Sequence, residues 1–172
     1  MKQFLALIFL AAPLLAAFPS AQEALSLAFP GAQLTRREYF LTEPQGRQVK
    51  DLAGTELSGL WVVAYEARRD GKLKGVGFFD THRVRTLNET VLVAISAEGH
   101  IQRVEVVAFK EPLEYTAKAA WIKQFEGRKL DAELSQKKAI RPLSGATLTA
   151  NAMTDAARRS LALHRVLYGA TP

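Results

Sequence analysis

The longest periodic stretch of the chain runs from about Thr149 to Leu167, introduced by the turn Ser144-Gly145-Ala146-Thr147-Leu148-Thr149. Met153, Ala156, Ala157, Ser160 and Leu167 recur at helical spacings, which places them on one side of a helix. Asp155 near its start and Arg165 near its end complement the helix dipole. A long helix with one apolar side must be buried against another layer, and that requirement sets the architecture. The turn before it is built of small residues, and Gly145 permits dihedrals that other residues avoid. The helix aims its unpaired N–H groups and positive dipole end back at this turn, an arrangement suited to a phosphate. Thr147 and Thr149 add hydroxyls there. Ordinary N-capping by Ser or Thr explains the same residues without a ligand.

The opposing layer is legible as strands. Leu60 to Glu66 and Lys74 to Phe79 flank an Asp70-Gly71 turn signal, and Thr90 to Ser96 and Ile101 to Phe109 flank Glu98-Gly99. These segments are rich in β-branched and aromatic residues and predict two hairpins. His82, Arg85 and Thr86 fall in the polar loop between them. Before the hairpins, Glu23 to Phe29 predicts a short helix stopped by Pro30-Gly31, and Leu34 to Leu41 an extended segment. Thr42-Glu43-Pro44-Gln45 predicts a capped helix start running to about Ala53, with Gly54 after it. Pro112 to Glu126 reads as a helix with Trp121, Ile122 and Phe125 on its apolar side. Arg128 to Leu143 reads as irregular, anchored by Leu130 and Leu134. The expected fold is α+β: an antiparallel sheet of about four or more strands with helices packed against it.

Other features narrow the function. With no Cys, the chain forms no disulfide and no thiolate-held metal or cluster. His82, His100 and His164 lie in three different elements without metal-helix spacing, so no metal site is expected. The chain has no G-x-S-x-G elbow, P-loop or complete G-x-G-x-x-G fingerprint, and no catalytic residue is assigned. Lys2 followed by an apolar run from Phe4 to Phe18 and then Pro19-Ser20-Ala21 reads as a signal peptide over residues 1–21, leaving a single domain over 22–172. Retention of the run as an anchor is the alternative. The formal charge of +6 is spread without a basic, aromatic-laced stripe, and no nucleic-acid partner is expected.

The turn also resembles the S/T-G-A-T-x-S/T motif of FMN-binding domains. These occur in Rnf-type and sodium-pumping quinone reductase complexes, nitrous-oxide-reduction regulators and small exported flavoproteins. Phe78-Phe79-Asp80-Thr81-His82, Val84-Arg85-Thr86, Phe109-Lys110-Glu111-Pro112, Trp121 and Gln124-Phe125-Glu126-Gly127 extend the likeness over roughly residues 24 to 167. The resemblance implies FMN joined through a phosphoester to Thr147 by a dedicated flavin transferase, with Ser144, Gly145, Ala146, Leu148 and Thr149 shaping the phosphate turn. Many covalently flavinylated members carry Asp three residues before the Ser; Arg141 stands there in this chain. For the flavin ring, Phe79, Tyr115, Trp121 and Phe125 are candidate walls, and Arg85 or His82 a candidate cation beside it, with Thr86 nearby. The implied protein is an exported, periplasmic or membrane-associated electron carrier rather than a substrate-turnover enzyme, with membrane redox partners. A flavin-binding sensor or accessory module, or a cofactor-free interaction domain, are the alternatives.

Overall fold

The computed structural model describes residues 18–169. Most of the expected signal segment lies outside the described residues. Five antiparallel strands form one meander in the order β1-β2-β3-β4-β5: β1 Gln33–Phe40, β2 Trp61–Arg69, β3 Lys72–Arg83, β4 Asn88–Ser96 and β5 Ile101–Phe109. The two expected hairpins are present, with 64–69 paired to 72–78 and 89–95 to 101–109. They are fused by β3–β4 pairing through His82↔Glu89 and Arg83↔Asn88. His82 is therefore a strand residue, and only residues 84–87 make the turn between β3 and β4. The expected extended segment joins the sheet as β1.

Alternation along the strands sends side chains to two cores. Val76, Phe78, Val91, Val93, Ile95, Val104 and Val106 meet Met153, Ala156, Ala157 and Leu161 on one face. Those four belong to α4, Thr147–Tyr168, whose buried side chains follow the expected helical spacing. On the other face α1, Ala21–Ala28, packs Ala24 and Leu25 with Leu92 and Ala94. Gly75 and Gly77 make this approach possible: a Cβ on Gly75 would lie 2.6 Å from Phe29 and 2.4 Å from the Ile95 carbonyl. The helix α2, Glu43–Ala53, has the expected capping box from Thr42 and Gln45 and ends at Gly54 with φ of 74°.

The helix expected over Pro112 to Glu126 is replaced by a broken path. A 3₁₀ turn at Leu113–Tyr115 leads through an extended Thr116 to α3, Ala119–Ile122, and a second 3₁₀ turn, Lys123–Phe125. Tertiary bonding overrides the local pattern: the Tyr115 carbonyl, which a continuous helix would give to an amide, accepts the buried Thr149 hydroxyl at 2.7 Å. Residues 128–143 are irregular as expected, with Leu130, Leu134 and Ile140 buried.

Candidate functional site

The small-residue turn stands at the first turn of α4. Gly145 has φ of +77° and open space around its Cβ position. Ala146 is the N-cap and supplies no side-chain hydrogen bond, so neither Ser nor Thr caps this helix. Ser144, Thr147 and Leu148 are exposed. Among the described residues the Ser144 and Thr147 hydroxyls have no partner. The first-turn N–H groups therefore lack the oxygen that a capping side chain normally provides. Thr149 differs: its hydroxyl is committed to Tyr115, so what it offers the turn is its backbone N–H. Next in the chain, Thr116 Oγ1 is buried without a partner.

The approach to the turn is held by side chains from α3 and the residues after it. Trp121 Nε1–H donates to the Arg141 carbonyl at 2.8 Å, and the Arg141 N–H donates to Gln124 Oε1 at 2.8 Å. Gln124 Nε2–H in turn donates to the Trp121 carbonyl at 2.9 Å. The tip of the β3–β4 hairpin reaches the same region. Glu111 accepts the backbone N–H groups of Arg85, Thr86 and Leu87 at 3.0, 2.6 and 2.8 Å. Those of Leu87 and Thr86 are the main cause of its lowered pKa. So held, Arg85 places its guanidinium 4.7 Å from the centre of the Tyr115 ring. Tyr115 thus links Arg85 to Thr149 and hence to the start of α4. Phe125 is fully buried under Trp121, and Phe79 packs on Tyr65.

His82 lies elsewhere. Its Nδ1 is 2.9 Å from Asp80 and its Nε2 3.0 Å from Glu89, while Arg159 of α4 grips Asp80 with two hydrogen bonds of 2.8 and 2.7 Å. Burial opposes charge on His82, but the bonds to Asp80 and Glu89 outweigh it and raise its pKa to about 9. Burial likewise opposes charge on Asp80, and Arg159 and then His82 bring its pKa down to about 2. This chain of alternating charges borders a cleft of about 600 Å³ between β2 and β3. Of the residues that the sequence offered for the site, His82 and the candidate ring wall Phe79 line that cleft, while Ser144–Thr149, Arg85, Thr86 and Trp121 do not. The sequence reading missed Asp80, Gln124 and Arg159 as functional contacts. Asp80 and His82 are two apart on a strand, a spacing that puts both on one face; the tertiary contact with Arg159 leaves no local signal.

An uncapped helix N-terminus with a free hydroxyl and a left-handed glycine just before it is an arrangement suited to a phosphate. The family comparison specifies the group: residues 87–162 match the FMN-binding domain. The chain thus contains a segment, from β4 into α4, that is similar to the FMN-binding domain, and that match supports an FMN-binding protein. The matched segment runs from β4 into α4 and contains Trp121 and all of Ser144–Thr149; His82, Arg85 and Thr86 precede it. A search of curated proteins finds no match.

Proposed function

We propose that this protein is an exported FMN carrier that holds its flavin through a phosphoester on Thr147 and passes electrons between redox partners at or near a membrane. One observation carries this reading: Thr147 has an exposed, unpartnered hydroxyl at the first position of an uncapped helix, inside the FMN-binding segment. An ester at this oxygen displaces no existing hydrogen bond. The first-turn N–H groups and the α4 dipole oppose the phosphate charge, and Gly145 lets the backbone come close. Trp121 and Gln124 fix the path into the turn by binding the Arg141 peptide. Arg85 stacks on Tyr115, whose carbonyl binds Thr149 of α4, and a cation so placed would favour a reduced, anionic ring. FMN, when bound, exchanges electrons in pairs or singly.

The reading requires a flavin transferase and membrane redox partners, and places the protein outside the cytoplasm on the strength of the N-terminal pattern. The test is co-expression with a matching transferase followed by a denaturing gel. A fluorescent flavin band is expected from the native sequence and none from Thr147→Ala. A Thr147→Ala protein that keeps covalent flavin disproves the assignment. Native protein that stays colourless beside an active transferase returns the chain to the cofactor-free alternative.

A further inference from the structure

The middle of the sheet is split. β2 and β3 pair from Arg69↔Lys72 only as far as Ala64↔Phe78. Beyond that, β2 continues against β1 to Trp61, and β3 continues against β4 to Arg83. Residues 61–63 and 79–83 thus lie along the two sides of the split without pairing to one another, and among the described residues their backbone pairing is to β1 and β4 respectively. Both segments line the cleft of about 600 Å³, floored by Arg159, Ser160 and Leu163 of α4. The split coincides with a change in side-chain chemistry. The α4-facing side of β3 changes from Val76 and Phe78, which pack in the core, to Asp80 and His82, which are bound by Arg159 and Glu89.

An unpaired strand edge is a template for another extended chain, with main-chain bonds giving affinity and alternate side-chain pockets giving specificity. Here two such edges form opposite walls of one opening. The remaining wall chemistry selects the occupant. Glu56 is paired with Lys50, Asp80 with Arg159 and His82, and Arg36 with Glu38. Arg83 is exposed and has no ion pair among the described residues, which leaves a cation at the opening. Trp61 is 58% exposed and steadied by its indole N–H, which donates to Glu38 at 3.0 Å.

We propose that the β2–β3 fork is a docking site for an extended, acidic segment of a partner protein. Its main chain pairs with residues 61–63 and 79–83, its carboxylate meets Arg83, and Trp61 covers one of its apolar side chains. At about 3.3 Å per residue, the five-residue edge of β3 accommodates a segment of roughly five residues. None of Ser144–Thr149 lines this cleft, so the proposal stands whether or not Thr147 carries flavin.

The test uses the full-length protein and a terminally blocked hexapeptide, Thr-Val-Glu-Val-Thr-Val, titrated to millimolar concentration and followed by amide NMR shifts. Saturable shifts centred on residues 61–63 and 79–83 are expected. N-methylation of alternate peptide bonds is expected to weaken binding at least roughly tenfold, because it removes the main-chain donors. Arg83→Glu is expected to weaken binding severalfold, and replacing the peptide's Glu by Lys is expected to restore it. Hydrogen exchange supplies an independent check: alternate amides of 61–63 and 79–83 are expected to exchange fast in the free protein and slowly with peptide. No saturable shift, shifts centred elsewhere, or equal binding by the N-methylated peptide overturns the proposal. Protection of those amides in the free protein overturns it as well, since the fork would then be closed.

Discussion

Trp121 holds Arg141 by its backbone alone: the indole N–H donates to the Arg141 carbonyl while Gln124 accepts the Arg141 N–H. The Arg141 side chain takes no part in this clamp and is exposed. Substitution at 141 therefore changes the charge three residues before Ser144 without altering the path of the chain.

Arg141→Asp is accordingly expected to leave the unfolding midpoint nearly unchanged, within about 0.5 kcal/mol. If the resemblance to the flavinylation motif holds, it should raise the fraction of protein carrying covalent flavin when a transferase is present, because it supplies the Asp that the motif resemblance implies. Intact mass measures both populations. An unchanged or reduced flavinated fraction shows that Arg141 does not limit the reaction.

Thr147 and Thr149 are expected to separate cleanly. Thr147→Ala removes an exposed, unbonded hydroxyl and should cost less than about 0.5 kcal/mol. Thr149→Val keeps the shape but leaves the Tyr115 carbonyl without its donor, which should cost about 1–3 kcal/mol. Urea unfolding of the two flavin-free variants checks this order. Equal stabilities would show that the Thr149 bond is not made in solution.

Two histidines give the stability profile opposite slopes. His82 rises from 6.5 to about 9 on folding. Its contribution is full below pH 6.5 and disappears as pH climbs toward 9, where only the folded state keeps the proton. His164 is lowered by burial, with Glu98 opposing. Its neutral form is the one the fold accepts, so stability falls as pH drops below about 6.5. A maximum near pH 6.5 is expected from these two groups. His82→Gln should flatten the alkaline limb while lowering the whole curve by on the order of 3 kcal/mol, since Asp80 and Glu89 lose their shared partner. Denaturant midpoints from pH 5 to 9 provide the measurement, and an alkaline limb that survives in His82→Gln removes His82 as its cause.

Arg85 and His82 differ as candidates for tuning a bound flavin. His82 is already compensated by Asp80 and Glu89, whereas Arg85 uses its backbone on Glu111 and presents its guanidinium over Tyr115. Arg85→Gln is expected to lower the flavin midpoint potential by a few tens of millivolts, 30 mV being roughly 1.4 kcal/mol for two electrons. Spectroelectrochemistry on the loaded protein reads the shift. No change would place the ring away from Arg85.

Processing at the expected site would bear on α1. Ser20 and Glu23 form a capping box at its start, and Phe18 packs against the main core. Cleavage after Ala21 removes that cap, at a cost of about 0.5–2 kcal/mol. N-terminal sequencing of host-made protein should begin near Gln22 if the expected site is used. Retention of Ser20 would put the cut upstream, and an intact Met1 in membranes would indicate the anchor.

Local chemistry made much of this fold readable. Thr42, Gln45 and Gly54 bound α2 as their cap signals require, and the glycines at 71 and 99 mark two of the three hairpin turns within β2–β5. The third was hidden because His82 read, with Arg85 and Thr86, as part of a polar loop, although His82 is a β3 residue held between Asp80 of the same strand and Glu89 of β4. The helix expected from Pro112 failed for a related reason: the Thr149 hydroxyl competes for a carbonyl from 34 residues away. At the site, the Ser144–Thr149 turn was legible because small residues and a following helix are local signals. The clamp on Arg141 and the fork between β2 and β3 depend on long-range contacts that no window of sequence contains.

The small side chains on the buried side of α4 have a mechanical effect. Ala150, Ala156, Ala157 and Ser160 let the helix settle close to the sheet, and Tyr168 at its far end bonds to Tyr39 on β1 at 2.8 Å. A rod seated along its length and pinned at its end has little freedom to rock. Any group attached at Thr147 therefore moves by its own linker and not by its mount. For the proposed carrier, the distance to an electron donor or acceptor becomes a property of how the partner docks, and little energy is spent rearranging the protein when the charge on the attached group changes.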